Sequence, residues 1–147
     1  MSVAQLDYSK ARILMDANSP IEREYRLKAC LKEPWTVDFI ERIEVGGSFW
    51  DIGANVGSYS LIAVARGLDV LAVEPAYENY RALCRNLALN TDRGAGIGTK
   101  QESWLERAAV FCGAVYASPG VTWLDYTALA SGSASHVMGS DRRQFFH

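Results

Sequence analysis

The sequence predicts an α/β fold in which helices flank a parallel β-sheet. Short apolar runs rich in β-branched residues alternate with segments of helical periodicity, which is the order expected of a parallel α/β sheet. Residues 69–74 have an uninterrupted apolar middle, which is typical of a strand buried on both faces. The chain has 147 residues, 49% of them hydrophobic, which is enough for one domain with its own core.

Residues 1–45 are predicted to form an N-terminal helical lead-in to the sheet. A short apolar run at residues 11–15 is a candidate strand within it. Ser19 and Glu22 then have the spacing of a capping box, in which each residue satisfies a backbone N–H of the other. This pattern predicts a helix that continues to about Cys30, and a second helix is expected to follow it.

Residues 46–147 are predicted to contain the sheet itself. The expected strands are residues 48–52, 69–74, 108–116 and 121–126. The expected helices between them are residues 59–67 and 77–89. Residues 91–101 hold three glycines and are predicted to be a loop. The small, polar segment from Ala130 onward is expected to be a loop as well.

Periodicity also predicts which side chains are buried. The second helix of the lead-in, over about residues 36–43, and the helix over residues 77–89 each carry one apolar stripe. The side chains expected in the core are Val37, Phe39, Ile40, Phe49, Trp50, Tyr80, Leu83, Cys84, Leu87 and Cys112. Asn90 is expected to cap the C-terminal end of its helix.

Charge and cysteine content exclude several classes of protein. The chain has 15 Lys and Arg against 17 Asp and Glu, so its net charge of −2 provides no basic field for nucleic acid. Cys30, Cys84 and Cys112 lie far apart, which argues against a disulfide framework or a metal site and favours a reducing compartment. No signal peptide and no apolar run of about 20 residues is visible, so we expect a cytoplasmic protein that does not bind membranes.

The most informative segment is the glycine turn at residues 51–57, Asp-Ile-Gly-Ala-Asn-Val-Gly. It lies between a strand and a helix, where open α/β sheets bind their ligands. Gly53 lets the chain turn, and Gly57 lets the start of the helix pack closely against the strand. Asn55 stands where a dinucleotide-binding turn has its second glycine, and no P-loop Lys follows. Such a turn also occurs in α/β proteins for packing alone.

Two carboxylates are predicted at the tips of neighbouring strands. Asp51 ends the first strand, and its charge repels phosphate but attracts a cationic ligand. S-adenosylmethionine, which carries an ammonium and a sulfonium group and no phosphate, is such a ligand. Glu74 ends the next strand, where a carboxylate can accept two hydrogen bonds from a ribose diol. The alternative is that Asp51 lies beside a helix N-cap and that Glu74 is a strand-end charge.

These residues resemble a known family. Residues 49–61 resemble the first motif of FkbM-type S-adenosylmethionine-dependent methyltransferases, and Lys32-Glu33-Pro34 resembles the segment that precedes it. The second motif and its helix are matched by Val73, Glu74, Pro75, Asn79, Tyr80, Leu83, Asn86 and Asn90, and residues 132–137 resemble a later segment. The resemblance implies a Rossmann-like class I methyltransferase sheet and methyl transfer to a hydroxyl of a sugar or natural product such as a polyketide.

The resemblance also implies roles for individual residues. The turn would face the methionine end of the cofactor, Glu74 would hold the ribose hydroxyls, and the residues after the third strand would lie towards the adenine. The implied cofactor-binding residues are Asp51, Gly53, Ala54, Asn55, Gly57, Glu74, Gly113 and Ala114. His136 is the candidate catalytic base, with a polar loop residue as the alternative reading.

The chain departs from the family after residue 137. The family continues with a fourth core strand that carries an acidic motif, whereas this sequence stops at His147. We therefore expect an N-terminal, cofactor-binding half of a methyltransferase with a sheet that is incomplete on its C-terminal side. Such a chain would self-associate through the uncovered sheet edge. A non-catalytic cofactor-binding remnant and a dinucleotide-dependent oxidoreductase remain as alternatives.

Overall fold

The computed structural model describes residues 2–91, 104–120, 123–125, 131–134 and 136–139. Its strands are β1 (Val3–Gln5), β2 (Leu14–Asp16), β3 (Ser48–Ile52), β4 (Asp69–Val73), β5 (Ala108–Phe111), β6 (Trp123–Asp125) and β7 (Val137–Gly139). Its α-helices are α1 (Ala29–Lys32), α2 (Pro34–Arg42), α3 (Ser58–Ala65), α4 (Tyr77–Ala88) and α5 (Trp104–Arg107), and a π-helical turn at Glu22–Arg26 precedes them. None of the described helices is long and apolar enough to cross a membrane.

A three-stranded parallel sheet forms the centre of the fold, in the order β3-β4-β5. The register places Asp51 opposite Ala72 and Ile52 opposite Val73, so β3 and β4 end side by side. Helix α3 connects these two strands and packs against both of them. The predicted α/β fold with a parallel sheet and flanking helices is therefore confirmed.

The two faces of this sheet differ in burial. Phe49, Val70 and Ala72 lie on the face that is packed into the core. Strand residues alternate between faces, so Trp50 points to the opposite face, where its exposed fraction is 70%. The prediction that Trp50 is a core residue is therefore wrong. The prediction that Phe39 is a core residue is also wrong, because Phe39 packs against Phe49 but is 60% exposed.

The N-terminal segment contains a β-hairpin as well as helices. Strands β1 and β2 pair antiparallel, and β2 overlaps the predicted strand at residues 11–15. The predicted capping box is present: the Ser19 N–H donates to Glu22 Oε2 at 2.8 Å, and the Glu22 N–H donates to Ser19 Oγ at 3.1 Å. The helix expected to run to Cys30 is instead divided into the π-helical turn and α1.

Helix α4 buries asparagines where an apolar stripe is predicted. Leu83 and Leu87 are buried as expected, whereas Tyr80 and Cys84 are only half-buried. The remaining buried positions are taken by Asn79, Ala82 and Asn86, and by Asn90 just beyond the helix. These amides replace apolar side chains because they bind the backbone of other segments.

Asn90 and Asn86 hold β2 against α4. The Asn90 side chain accepts a hydrogen bond from the Leu14 N–H at 2.9 Å and donates one to the Leu14 carbonyl at 2.8 Å. Asn86 Oδ1 accepts from the Asp16 N–H at 2.8 Å, and its Nδ2 donates to the Val56 carbonyl at 2.8 Å. The C-cap of α4 is Leu89 rather than Asn90, so that prediction is wrong.

The segments after α4 are shorter and less buried than predicted. Strand β5 ends at Phe111 instead of Tyr116, and Cys112 is exposed rather than a buried hydrophobe. Strand β6 lies within the predicted fourth strand but pairs antiparallel with β7, in the region predicted to be loop. The glycines of the predicted loop at residues 91–101 lie outside the described residues.

Candidate functional site

The turn after β3 contains three residues in the left-handed backbone region. Gly53, Asn55 and Gly57 have φ values of 83°, 53° and 89°. Asparagine is one of the few residues with a side chain that enters this region readily. The backbone N–H groups of Gly53 and Ala54 both donate to the Val73 carbonyl, at 2.8 and 3.0 Å. These bonds hold the turn against the carboxyl end of β4.

The two glycines of the turn have different surroundings. A Cβ added at Gly57 would lie 2.2 Å from Leu83 Cδ1, so the absence of a side chain allows α3 and α4 to approach each other. The close neighbour of Gly57 is thus helix α4 rather than the preceding strand. A Cβ added at Gly53 would meet no heavy atom within 4 Å. Gly53 therefore lines open space at the tip of the sheet.

Glu74 lies under the turn and bonds to the protein itself. Its side chain is 4% exposed. Oε2 accepts a hydrogen bond from the Asn55 N–H at 2.8 Å. Oε1 accepts from the Ala76 N–H at 2.9 Å and lies 3.3 Å from Asn79 Nδ2. The structure thus brings Glu74 and the turn together, as the sequence predicts, and places the carboxylate inside a ring of N–H donors.

Asp51 is the second carboxylate at this edge. Ser60 Oγ donates to its Oδ2 at 2.6 Å. Burial raises the pKa of Asp51 above its ordinary value, and the charge of nearby Glu74 raises it further, although the bonds from Ser60 oppose this shift. Two acidic groups at one end of the sheet favour a cationic ligand, because its charge would stabilise both ionised forms.

Residues 131–134, hereafter the strap, lie across the turn and α4. The Ser133 carbonyl accepts hydrogen bonds from Asn55 Nδ2 at 2.6 Å and from Asn79 Nδ2 at 2.9 Å. The Gly132 N–H donates to Asn79 Oδ1 at 2.8 Å. Asn79 therefore contacts both the strap and Glu74. Sequence reasoning noticed Asn79 only as part of a family motif and did not predict this contact.

The other end of the strap is held by the π-helical turn and the residues just before it. Arg26 donates to the Gly132 carbonyl through Nε at 2.9 Å and through Nη2 at 2.5 Å. Ser131 Oγ donates to Glu22 Oε1 at 2.5 Å, and Ser19 Oγ donates to the Ser131 carbonyl at 3.2 Å. Burial lowers the pKa of Arg26 below its ordinary value. The capping-box residues thus also anchor a segment more than 100 residues away.

The remaining predicted site residues lie on either side of this cluster. His136 is half-buried, and its Nε2 lies 3.2 Å from Ser133 Oγ. The Gly113 N–H donates to the Glu74 carbonyl at 3.2 Å, which keeps the end of β5 next to the end of β4. Ala114 is exposed. Across the described ranges, no three His, Cys, Asp or Glu side chains come together as a metal site would need.

Comparisons with known proteins found similarity among solved structures. No protein-family model matches the chain, and no curated protein matches it. Among solved structures, the chain is similar to an S-adenosylmethionine-dependent methyltransferase from Agrobacterium tumefaciens, with 14% sequence identity and a TM-score of 0.46. The alignment covers 76% of this chain and 32% of that protein, so the chain spans about a third of its length.

Proposed function

We propose that this chain binds S-adenosylmethionine and forms the cofactor-binding part of a class I methyltransferase of the FkbM type. The single observation that carries the proposal is the position of Glu74 beside the glycine turn, with its carboxylate 2.8 Å from the Asn55 N–H. The parallel register of β3 and β4 creates this position, because both strands end at the same edge. Ligands of open α/β sheets bind at that edge.

The residues at the crevice fit the chemistry of this cofactor. Gly53 leaves open space where a side chain would project, which suits a group that approaches the backbone. Asp51 is a half-buried carboxylate whose raised pKa would be lowered by a positive charge nearby. The ammonium and sulfonium groups of S-adenosylmethionine supply such charges. Glu74 would receive the ribose hydroxyls.

The proposed reaction is methyl transfer to a hydroxyl, as on a sugar or polyketide. The cofactor supplies an activated methyl group, and the protein contributes chiefly by positioning the two reactants. His136 is the candidate base for the acceptor hydroxyl. Its Nε2 lies 3.2 Å from Ser133 Oγ, so the strap sets its position relative to the turn.

A dinucleotide-dependent oxidoreductase fits the turn less well. The Asn55 side chain occupies the place where the backbone would approach a pyrophosphate, and it is bonded to the Ser133 carbonyl. Asp51 would also repel the phosphates. Isothermal titration calorimetry with S-adenosylmethionine and with NAD tests both functions. We expect heat only with S-adenosylmethionine, and binding of NAD instead would contradict the proposal.

A matched pair of variants locates the binding. Asp51→Asn should weaken S-adenosylmethionine binding, because it removes the negative charge at the crevice. Asp69→Asn is the control, since Asp69 begins β4, at the end of the strand away from the turn, and forms an ion pair with Arg107. Equal losses in both variants would show that the cofactor does not lie at the turn. Cofactor binding with no methyl transfer to any hydroxyl acceptor would identify a non-catalytic binding protein.

We also propose that the chain self-associates through its central sheet. In the described part of the chain, β3 pairs with β4 alone, so one backbone edge of β3 has no strand beside it. The adjoining sheet face exposes Trp50, Ile52 and Phe111 by 70%, 50% and 59%. An edge strand beside an apolar surface favours pairing with another chain.

A further inference from the structure

The strap occupies hydrogen-bonding groups that surround Glu74. We propose that it is a built-in occupant of the ribose side of the cofactor site, and that it must release before a ribose diol can reach Glu74. The inference rests on the proposed function, because it assigns Glu74 to a nucleoside-type ligand. It assigns to residues 131–134 a regulatory role, competition with the ligand, that the catalytic reaction does not require.

The strap and a bound ribose would share the same hydrogen-bond donors. Asn55 and Asn79 both direct their side-chain N–H groups at the Ser133 carbonyl, at 2.6 and 2.9 Å. The same Asn79 nitrogen lies 3.3 Å from the Glu74 carboxylate. A hydroxyl bound to Glu74 would therefore lie beside the same two amides. The strap carbonyl and a ligand oxygen would compete for them.

Glu74 is buried beneath the turn and next to the strap. Glu74 is 4% exposed and Ser133 is 6% exposed, so the carboxylate and the middle of the strap are both closed off from solvent. A carboxylate oxygen can accept more than one hydrogen bond, so Glu74 still has the capacity to bind a diol. Access, rather than hydrogen-bonding capacity, limits binding in this conformation.

The strap has a second set of anchors besides Asn55 and Asn79. Arg26 and Glu22 bind the strap at Gly132 and Ser131, on the side of the π-helical turn. Gly132 has a φ of 85°, and an added Cβ would lie 3.2 Å from Ile21 Cγ2 and 3.4 Å from Glu22 Cγ. Docking thus depends on a glycine whose added Cβ would meet the π-helical turn and the residue before it, and not the glycine turn or Glu74. A substitution at Gly132 can therefore release the strap without changing the side chains of Glu74, Asn55 or Asn79.

The expected consequence is a lower apparent affinity for the cofactor in the natural chain. When a ligand binds only the open form, its apparent affinity falls as the fraction of closed molecules rises. Substitutions that free the strap should therefore tighten binding. This direction is opposite to that of an ordinary loss of structure near a binding site.

The test is calorimetric titration of the full chain and its variants with S-adenosylmethionine. Gly132→Val combines a positive φ with a β-branched side chain and should bind about tenfold more tightly. Ser131→Ala removes only the bond to Glu22 and should bind about threefold more tightly. Gly120→Val is the control, because a Cβ there meets no atom within 4 Å and no positive φ is required. Its affinity should equal that of the natural chain.

Hydrogen exchange of the natural chain gives a second measurement that needs no variant. The Gly132 amide donates to buried Asn79 Oδ1, so it should exchange slowly in the free protein. Saturating S-adenosylmethionine should make it exchange faster. Slower exchange would overturn the proposal, because the strap would then close over the cofactor instead of competing with it. Circular dichroism shows whether Gly132→Val is folded, and Ser131→Ala stands in if it is not.

The outcomes separate the strap from the proposed function. If the natural chain and both strap variants bind S-adenosylmethionine equally, the strap proposal is overturned and the cofactor assignment stands. Weaker binding by the strap variants overturns it in the same way. If none of the proteins binds S-adenosylmethionine, both proposals are overturned.

Discussion

The carboxylate of Glu74 accepts a 2.8 Å hydrogen bond from the backbone N–H of Asn55, 19 residues earlier in the chain. Glu74→Ala would strand this N–H and that of Ala76, so the unfolding free energy should fall by about 2–4 kcal/mol. Urea denaturation measures this loss. Glu78→Ala is the control, because Glu78 lies on the exposed surface and pairs with Arg81, an interaction worth less than about 1 kcal/mol. Equal stability of the Glu74 variant and the natural chain would contradict the structural role.

Asp51 is expected to make the stability of the protein depend on pH. Its pKa is raised in the folded state by burial, so the folded protein holds this proton more tightly than the unfolded chain. Stability contributed by the neutral form is then lost as pH rises from the ordinary Asp pKa through the folded value. Asp51→Asn removes this loss, so its Tm should exceed that of the natural chain at neutral pH. The difference should disappear at about pH 3, and thermal melts at the two pH values check this. A variant with a lower Tm at neutral pH would contradict it.

Substitutions at Gly57 are expected chiefly to lower stability, whereas substitutions at Gly53 are expected chiefly to lower binding. Gly57→Ala places a methyl group 2.2 Å from Leu83 Cδ1 and should cost about 3 kcal/mol of unfolding free energy. Gly53→Ala meets open space and should cost only its backbone strain, about 1 kcal/mol. Gly53→Val should fold and yet fail to bind S-adenosylmethionine. Denaturation with urea and calorimetric titration separate the two effects, and normal binding by Gly53→Val would move the ligand away from the turn.

Asn90 is predicted to be a stability residue. Asn90→Ala leaves the buried N–H and carbonyl of Leu14 without their side-chain partner and should cost about 2–3 kcal/mol. Asn18 accepts a backbone N–H bond of the same 2.9 Å length from Ser2, but at an exposed position. Asn18→Ala should therefore cost less than about 0.5 kcal/mol. Similar losses in the two variants would show that burial does not set the value of this bond.

Self-association is predicted to depend on Trp50. Size-exclusion chromatography with light scattering should show a mass that rises with protein concentration. Trp50→Lys, on the exposed sheet face, should shift the chain towards the monomer, because a charge there opposes pairing. Trp35→Lys is the control, since Trp35 is similarly exposed at 68% but lies on α2. A monomer at every concentration would disprove self-association through this face.

Local patterns predicted the central elements well. The capping box of Ser19 and Glu22, the bounds of β3 and the start of β4 follow from near neighbours in the chain, and the structure confirms them; β4 ends at Val73, one residue earlier than predicted. The sequence also placed Glu74 at the strand end that meets the turn. These features depend on interactions over a few residues or on the simple rule that parallel strands share an edge.

Long-range features could not be predicted in the same way. The alternation around Phe49 and Trp50 shows that they face opposite sides, but only the packing of the folded chain decides which side is covered. The strap depends on contacts between residues more than 100 positions apart, such as Arg26 with Gly132. No periodicity reports such a contact. The buried asparagines of α4 were missed because an amide is scored as polar even where it binds backbone groups.

The pairing of β2 with Asn86 and Asn90 has a consequence for the order of folding. These bonds join residues 70 and 76 positions apart, so the N-terminal hairpin gains them only after α4 has been synthesised. During translation, the two strands of the hairpin lack these partners until residues 86–90 have been made. Contacts of such long sequence separation slow folding, because the intervening chain must be ordered before they form. The hairpin is thus made before α4 but is held in place only after α4 has formed.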